Sequence, residues 1–199
     1  DLRRADVKQS MLHEYVLVML EHAAATARGA VVEIGAYVGG GTVAMTRGIR
    51  DSGRDTPMFT IEPGGAHLGH PHLPTSDIFG DLQANLQARA LDGYVTLLHG
   101  HSAAPAIVDA LRTHLEARRT RIGLLCIDAD GQVARDLGLY LPFCAEGCLL
   151  VVDDYSGPPE NIKAELTQAP VDALVASGRA RPLGVFGWGT WIGVYTPSQ

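Results

Sequence analysis

Residues 122–131 read IGLLCIDADG, and residues 148–155 read CLLVVDDY. In each stretch an unbroken apolar run ends in a pair of acidic residues, which are Asp128 and Asp130, then Asp153 and Asp154. A run of this kind predicts a strand that is buried on both faces, as in a parallel sheet. Ligands of open α/β sheets bind at the carboxyl ends of the strands. Because four carboxylates meeting there would repel one another, the pattern predicts a divalent cation at this edge.

Strands and helices alternate outward from these two stretches. Apolar runs predict strands at 30–34, 58–62, 94–98, 122–128 and 148–153. Helical spacing predicts helices at 42–52, 76–89, 103–119, 133–143 and 161–177, after an N-terminal helical segment within 1–28 whose apolar positions are Val7, Met11, Tyr15, Val18 and Met19. Two last strands, 179–185 and 190–195, flank a turn and predict an antiparallel hairpin. The fold class is therefore α/β, a doubly wound, Rossmann-like, mostly parallel seven-stranded sheet with helices on both faces, forming a single domain over 1–199.

Composition narrows the range of partners. The chain has 199 residues, a formal net charge of −6 and a pI near 5.7, which argues against nucleic-acid or anionic-membrane binding. Its cysteines, Cys126, Cys144 and Cys148, lack metal-site spacing and are expected to be reduced core residues. Without a membrane-length apolar run or a signal-peptide pattern, the expected location is cytoplasmic. Homo-oligomer formation stays open.

A glycine-rich turn follows the first predicted strand, where residues 33–42 read EIGAYVGGGT. A phosphate-binding P-loop would need lysine where Gly41 stands, and a dinucleotide-binding turn would need glycine where Tyr37 stands. A nucleoside ligand without phosphates fits the turn better. Glu62, at the end of the second strand, is placed to accept hydrogen bonds from two ribose hydroxyls.

In their order along the chain, these motifs resemble the class I S-adenosylmethionine-dependent methyltransferases. The resemblance rests on VVEIGAYVGGGT, FTIEP, LLHGHS, LLCIDADG and GCLLVVDDY. It implies that the glycine turn holds the methionine part of S-adenosylmethionine, that the acid after strand two holds the ribose, and that the loop after strand three covers the adenine. The cofactor-binding residues implied are Glu33, Gly35, Tyr37, Thr42, Glu62, His101, Ser102 and Asp128.

Within that family, the acidic pairs resemble those of Mg²⁺-dependent O-methyltransferases that act on sugar hydroxyls in antibiotic biosynthesis. This resemblance implies that Asp128, Asp153 and Asp154 bind Mg²⁺ and that Asp130 is the general base. Independently, Mg²⁺ prefers carboxylate and water oxygens, and it acidifies a bound hydroxyl so that a nearby carboxylate can take its proton. Catechol methyltransferases usually carry lysine where this chain has Gly131, so a sugar-like or diol-bearing small metabolite is the favoured acceptor.

Two other functions remain open from the sequence. A nicotinamide-dependent oxidoreductase would also use a glycine turn followed by an acidic strand end. A non-catalytic ligand-binding protein could use the same scaffold. For a methyltransferase, the sequence also leaves nitrogen open as the atom that accepts the methyl group. Among the weaker candidates, His67, His70 and His72 are interpreted as part of a lid or as solvent-exposed, Trp188 and Trp191 as structural, and Glu160 and Lys163 as surface residues.

Overall fold

The computed structural model describes residues 10–158 and 161–197. The N-terminal helix lies at α1 (Glu14–Thr26), and strands and helices then alternate as far as the last two strands, which follow one another directly. The elements after α1 are β1 (Ala30–Ile34), α2 (Gly40–Ser52), β2 (Met58–Glu62), α3 (Ile78–Gln87), β3 (Thr96–His99), α4 (Pro105–Ala117), β4 (Ile122–Ile127), α5 (Val133–Tyr140), β5 (Cys144–Val152), α6 (Ile162–Ala176), β6 (Ala180–Phe186) and β7 (Thr190–Tyr195). Short 3₁₀ turns occupy Asp92–Tyr94 and Leu141–Phe143.

One sheet contains all seven of these strands, in the order β3-β2-β1-β4-β5-β7-β6. The first five strands are parallel to one another, whereas β7 runs antiparallel to both β5 and β6. The chain reverses its direction of winding between β1 and β4, so their carboxyl ends flank the switch point at which ligands bind in such sheets. The predicted doubly wound sheet with a terminal hairpin is confirmed.

Alternate residues of the central strands pack on opposite faces of the sheet, as the period of a strand requires. Val32 belongs to the core beneath α4, α5 and α6, and its neighbour Val31 belongs to the core beneath α1 and α2. Burial of both faces explains why the residues of these strands are mostly apolar. The three cysteines are free and buried, as predicted. Every helix in the described part of the chain is too short or too polar to cross a membrane.

The predicted apolar face of the N-terminal helix was wrong. Helix α1 starts only at Glu14, with His13 as its N-cap, and buries Val16, Leu17, Leu20 and Ala24. Met11 precedes the helix, and the side chains of Tyr15 and Val18 are exposed. Val7 lies outside the described residues. The face that α1 buries is set by its packing on β1 and α2, which the spacing of apolar residues does not specify, and of the predicted positions Met19 packs against this core.

Two strand starts differ from the prediction by more than one residue. β3 starts at Thr96, because Asp92–Tyr94 forms a 3₁₀ turn in which the Tyr94 amide donates to the Leu91 carbonyl. β5 starts at Cys144, which pairs with Ile122 of β4 before an irregularity in the ladder. Gly147, with φ of 79°, lies at this irregularity and explains why the apolar pattern resumes only at Cys148.

Candidate active site

The glycine turn after β1 is held by the carboxylate of Glu62. The amides of Ala36 and Tyr37 both donate to Glu62 Oε2 at 2.9 Å, and the amide of Gly64 donates to Oε1 at 2.8 Å. Glu62 is buried at the end of β2. The carboxylate predicted to bind ribose therefore also orders the turn predicted to bind the methionine part of the cofactor.

The same turn contacts the first acidic cluster. Gly35 has φ of 81°, and a Cβ atom at this position would lie 1.9 Å from the carbonyl oxygen of Asp128. Only glycine fits this close approach of two strand ends. The cofactor turn and Asp128 are consequently direct neighbours at the carboxyl edge of the sheet.

Glu33 lies beneath the turn as a buried carboxyl group. Its Oε2 accepts hydrogen bonds from the hydroxyls of Thr42, at 2.5 Å, and Thr60, at 3.0 Å. Burial raises the pKa of Glu33 from 4.5 to about 7, although both hydroxyl hydrogen bonds act in the opposite direction. Glu33 thus links β1 to the first turn of α2 through Thr42, and to β2 through Thr60.

Tyr37 joins the turn to the histidine-rich loop before α3. Its φ of 51° is left-handed, and its hydroxyl donates to the carbonyl of Leu73. The Tyr37 ring lies 5.9 Å from that of His67 and 5.5 Å from that of His70. This packing agrees with the interpretation of the loop as a cover over the turn.

His101 and Ser102, both predicted near the adenine, have different environments. His101 is exposed, whereas Ser102 is buried. The Ser102 hydroxyl donates to Asp136 Oδ1 at 2.7 Å, and its carbonyl accepts from the Tyr140 hydroxyl at 2.6 Å. Ser102 therefore anchors the loop after β3 to α5, and His101 is the residue of the two that is open to a ligand.

Asp130 forms an ion pair that the sequence did not predict. Arg135 donates from Nη1 to Asp130 Oδ2 at 3.0 Å and from Nη2 to Oδ1 at 3.1 Å. Burial acts to raise the pKa of Asp130, but the bonds from Arg135 and the Gln132 amide outweigh it and leave the pKa below its usual value. Arg135 also binds buried Asp136 and the hydroxyl of Ser102. The predicted base is thus linked through Arg135 to the loop after β3.

Asp128, Asp153 and Asp154 come together as the sequence predicts. The amides of Asp128 and Asp153 continue the strand pairing, donating to the carbonyls of Ile34 and Ile127 at 2.9 Å each. Each of the three aspartates offers one carboxylate oxygen, and these oxygens lie within 4.8 Å of one another. Three oxygen ligands at this spacing suit a divalent cation such as Mg²⁺ and leave positions for water or substrate.

The electrostatics of this cluster reflect crowding of like charge. Burial, followed by repulsion from Asp153, raises the pKa of Asp128 well above its usual value. Burial also raises the pKa of Asp153, against the effect of a hydrogen bond that its Oδ1 accepts from the Thr190 hydroxyl. Asp154 adopts a left-handed φ of 55°. A bound cation would relieve the repulsion that raises both pKa values.

The three carboxylates open into a cavity of about 310 Å³. Its other walls come from the residues before α1, from the start of α6 and from the β6–β7 hairpin: Met11, His13, Gly157, Pro158, Asn161, Lys163, Trp188 and Thr190. Trp188 was predicted to be structural, but it is 70% exposed and lines this cavity, whereas Trp191 is a core residue as predicted. Asp130 does not line it. The cavity is large enough for a small acceptor beside the carboxylates.

Several residues at this edge were missed or misplaced by the sequence reasoning. Lys163 was assigned to the surface, yet its Nζ lies 3.4 Å from Asp154 Oδ2. Asn161, the N-cap of α6, donates from Nδ2 to Asp154 Oδ1 at 2.8 Å. The helix-capping pattern could have indicated Asn161, but no local pattern connects Lys163 or Arg135 with a carboxylate. Glu160 lies outside the described residues.

Comparison with known proteins identifies the family. The profile of a family described as a methyltransferase domain matches residues 32–155, which is more than half of the chain and includes the glycine turn and both acidic pairs. The chain belongs to the class I S-adenosylmethionine-dependent methyltransferases. S-adenosylmethionine is accordingly the methyl donor of this methyltransferase. The alternative function, a nicotinamide-dependent oxidoreductase, is no longer supported.

Solved structures share the fold at low sequence identity. The O-methyltransferase NovP is 17% identical, with a TM-score of 0.65, over 92% of this chain and 80% of NovP. The calicheamicin methyltransferase CalS11 is 15% identical, with a TM-score of 0.63, over 92% and 78% of the two chains. An O-methyltransferase from Bacillus cereus in complex with SAH is 16% identical, with a TM-score of 0.59, over 92% and 79%. No curated protein sequence matches this methyltransferase.

Proposed function

We propose that this methyltransferase transfers a methyl group to a hydroxyl of a small, sugar-like or diol-bearing metabolite, and that it depends on Mg²⁺. The observation that carries the proposal is the contact between the cofactor turn and the acidic cluster. Gly35 packs directly on the backbone of Asp128, whose carboxylate meets those of Asp153 and Asp154 at the wall of an open cavity. A methyl donor on the turn and an acceptor in the cavity would then be neighbours.

The three aspartates are the residues that would hold Mg²⁺. When bound, the cation would act as a Lewis acid on one acceptor hydroxyl and would orient the adjacent hydroxyl of a diol. The protein itself contributes the fixed positions of its carboxylates, since strand pairing holds Asp128 and Asp153, and a hydrogen bond from Asn161 holds Asp154. Orientation of this kind accounts for roughly 7–11 kcal/mol of barrier reduction in favourable cases.

Asp130 is the proposed general base. Its side chain is 53% exposed, and it must leave the Arg135 guanidinium before it can accept a proton. We expect Asp130→Asn to retain binding of S-adenosylmethionine and of metal while losing turnover. Unchanged turnover would show that Asp130 only anchors the loop to Arg135.

The acceptor class draws support from two of the similar structures. CalS11 is described as a TDP-rhamnose 3'-O-methyltransferase in calicheamicin biosynthesis, and NovP is described as an O-methyltransferase. A place in antibiotic biosynthesis is therefore part of the proposal. A cytoplasmic location is also part of the proposal, and the net charge of −6 supports the absence of nucleic-acid and anionic-membrane partners.

The test is formation of S-adenosylhomocysteine from S-adenosylmethionine with a panel of nucleotide sugars, glycosides and catechols, in Mg²⁺ and in EDTA. We expect turnover with a sugar-bearing acceptor in Mg²⁺ only, and its loss in Asp153→Asn. Turnover that is unaffected by EDTA would refute the metal requirement. Cofactor binding without turnover on any acceptor would favour the non-catalytic alternative.

A further inference from the structure

Lys163 makes the first turn of α6 part of the acidic cluster. Its Nζ lies 3.4 Å from Asp154 Oδ2, while Asn161 donates to the other oxygen, Oδ1, at 2.8 Å. The Asn161 side chain also accepts from the Lys163 amide at 3.1 Å, which fixes the start of the helix. Both oxygens of Asp154 are thus engaged by α6.

The path of the lysine stem depends on Gly131. A Cβ atom at position 131 would lie 3.3 Å from Lys163 Cγ and 3.5 Å from its Cβ. The bare backbone at Gly131 therefore leaves room for this lysine to cross from α6 towards the carboxylates. Among the described residues lining the cavity, Lys163 is the only lysine or arginine.

The charges of the cluster give this ammonium a role. Three carboxylates within 4.8 Å repel one another, and Lys163 supplies one compensating positive charge in the absence of metal. A divalent cation bound to the same oxygens would repel the ammonium. Because the Lys163 side chain is 44% exposed, it can withdraw into solvent when the cation binds.

We propose that Lys163 is the internal counter-cation of the Asp128, Asp153 and Asp154 cluster, and that it weakens metal binding by competing for Asp154. This inference rests on the proposed metal site and adds to it a residue that tunes its affinity. It also predicts that metal binding releases the first turn of α6 from one of its two bonds to Asp154.

The test compares variants that separate charge from packing. Lys163→Met keeps the stem without the charge, and Lys163→Arg keeps a charge at this position. Arg112→Met removes an exposed cation from α4, where Arg112 pairs with Asp109, and so changes the net charge equally at a position that does not line the cavity. For each protein, calorimetry with Mn²⁺ gives the dissociation constant, and thermal unfolding in EDTA and in Mn²⁺ gives Tm.

We expect Lys163→Met to bind Mn²⁺ about tenfold more tightly than the wild type, equivalent to ~1.4 kcal/mol. Its Tm in EDTA should fall, and the rise in Tm on adding Mn²⁺ should grow. Lys163→Arg and Arg112→Met should bind Mn²⁺ within about twofold of the wild type. A merely structural role would lower Tm in both conditions without tightening metal binding.

Two results would overturn the inference in distinguishable ways. Equal or weaker Mn²⁺ binding by Lys163→Met than by the wild type would refute the competition while leaving the metal site intact. Absence of Mn²⁺ binding in both proteins would refute the metal site itself, and the role of Lys163 with it. Binding by Lys163→Met but not by the wild type would support the inference in its strongest form.

Discussion

Replacing Glu33 with glutamine should abolish a specific pH dependence of stability. Glu33 is 2% exposed, and burial raises its pKa from 4.5 to about 7 in the folded protein. Between these two pH values the unfolded chain has lost the proton that the folded protein retains. The free energy of unfolding contributed by Glu33 therefore falls as pH rises through this window, and the loss is complete above pH 7.

The size of this effect follows from the two pKa values. At ~1.4 kcal/mol for each factor of ten in a proton-binding constant, ionised Glu33 costs the folded state ~3 kcal/mol, of which ~2.5 kcal/mol develops between about pH 5 and pH 8. Glutamine has no such ionisation and can still bond the hydroxyls of Thr42 and Thr60. Relative to the wild type, Glu33→Gln should thus gain ~2.5 kcal/mol over this pH range.

Urea unfolding of both proteins at several pH values between about 5 and 8 measures this difference, because titrating groups that do not interact with Glu33 contribute equally to each and cancel. Exposed Glu116→Gln on α4 is the matched control and should show a constant difference. If the difference between Glu33→Gln and the wild type stays within ~0.5 kcal/mol across the range, Glu33 is ionised throughout and the reasoning from burial is refuted.

Two further substitutions test the architecture of the cofactor turn. Gly35→Ala should cost at least ~3 kcal/mol of unfolding free energy, since it combines a left-handed φ with a clash against the Asp128 carbonyl. At the exposed Gly138 of α5 an added Cβ meets nothing, so Gly138→Ala should gain ~0.5–1 kcal/mol. A loss below ~1 kcal/mol in Gly35→Ala, measured by urea unfolding, would mean that the turn and Asp128 are not in contact. Glu62→Gln should weaken S-adenosylmethionine binding by tenfold or more in calorimetry. The substitution puts a neutral amide in place of the carboxylate that accepts hydrogen bonds from three backbone amides, and each bond to the charged group is worth ~1.5–3 kcal/mol. Unaltered affinity in Glu62→Gln would exclude it from the cofactor site.

Much of the sheet could be predicted because its strands are buried on both faces. β1 and β2 have the predicted bounds, since their residues are all buried and most of them are apolar. Prediction failed where a local contact shifts a boundary, as in the 3₁₀ turn before β3 and at Gly147 in β5. The prediction of the buried face of α1 failed because that face is set by packing on β1 and α2, which local spacing does not specify.

In the candidate site, too, the sequence could place the residues at strand ends but not those whose positions depend on helix packing. Asp128, Asp153 and Asp154 could be placed together because strand order at a switch point brings their strand ends side by side. Lys163 could not be placed with them, because its position depends on how α6 packs across the edge of the sheet and on the room left by the missing side chain of Gly131. The engagement of Asp130 by Arg135 likewise depends on the packing of α5, which periodicity does not specify.

Calorimetric titration of Mn²⁺ into the metal-free protein with bound S-adenosylhomocysteine tests the central claim most directly. A single saturable site is expected in the wild type, together with its loss in both Asp128→Asn and Asp153→Asn, each of which removes one of the three converging carboxylates. Absence of binding by the wild type, or binding that survives both substitutions, would contradict a metal site at the carboxyl ends of β4 and β5.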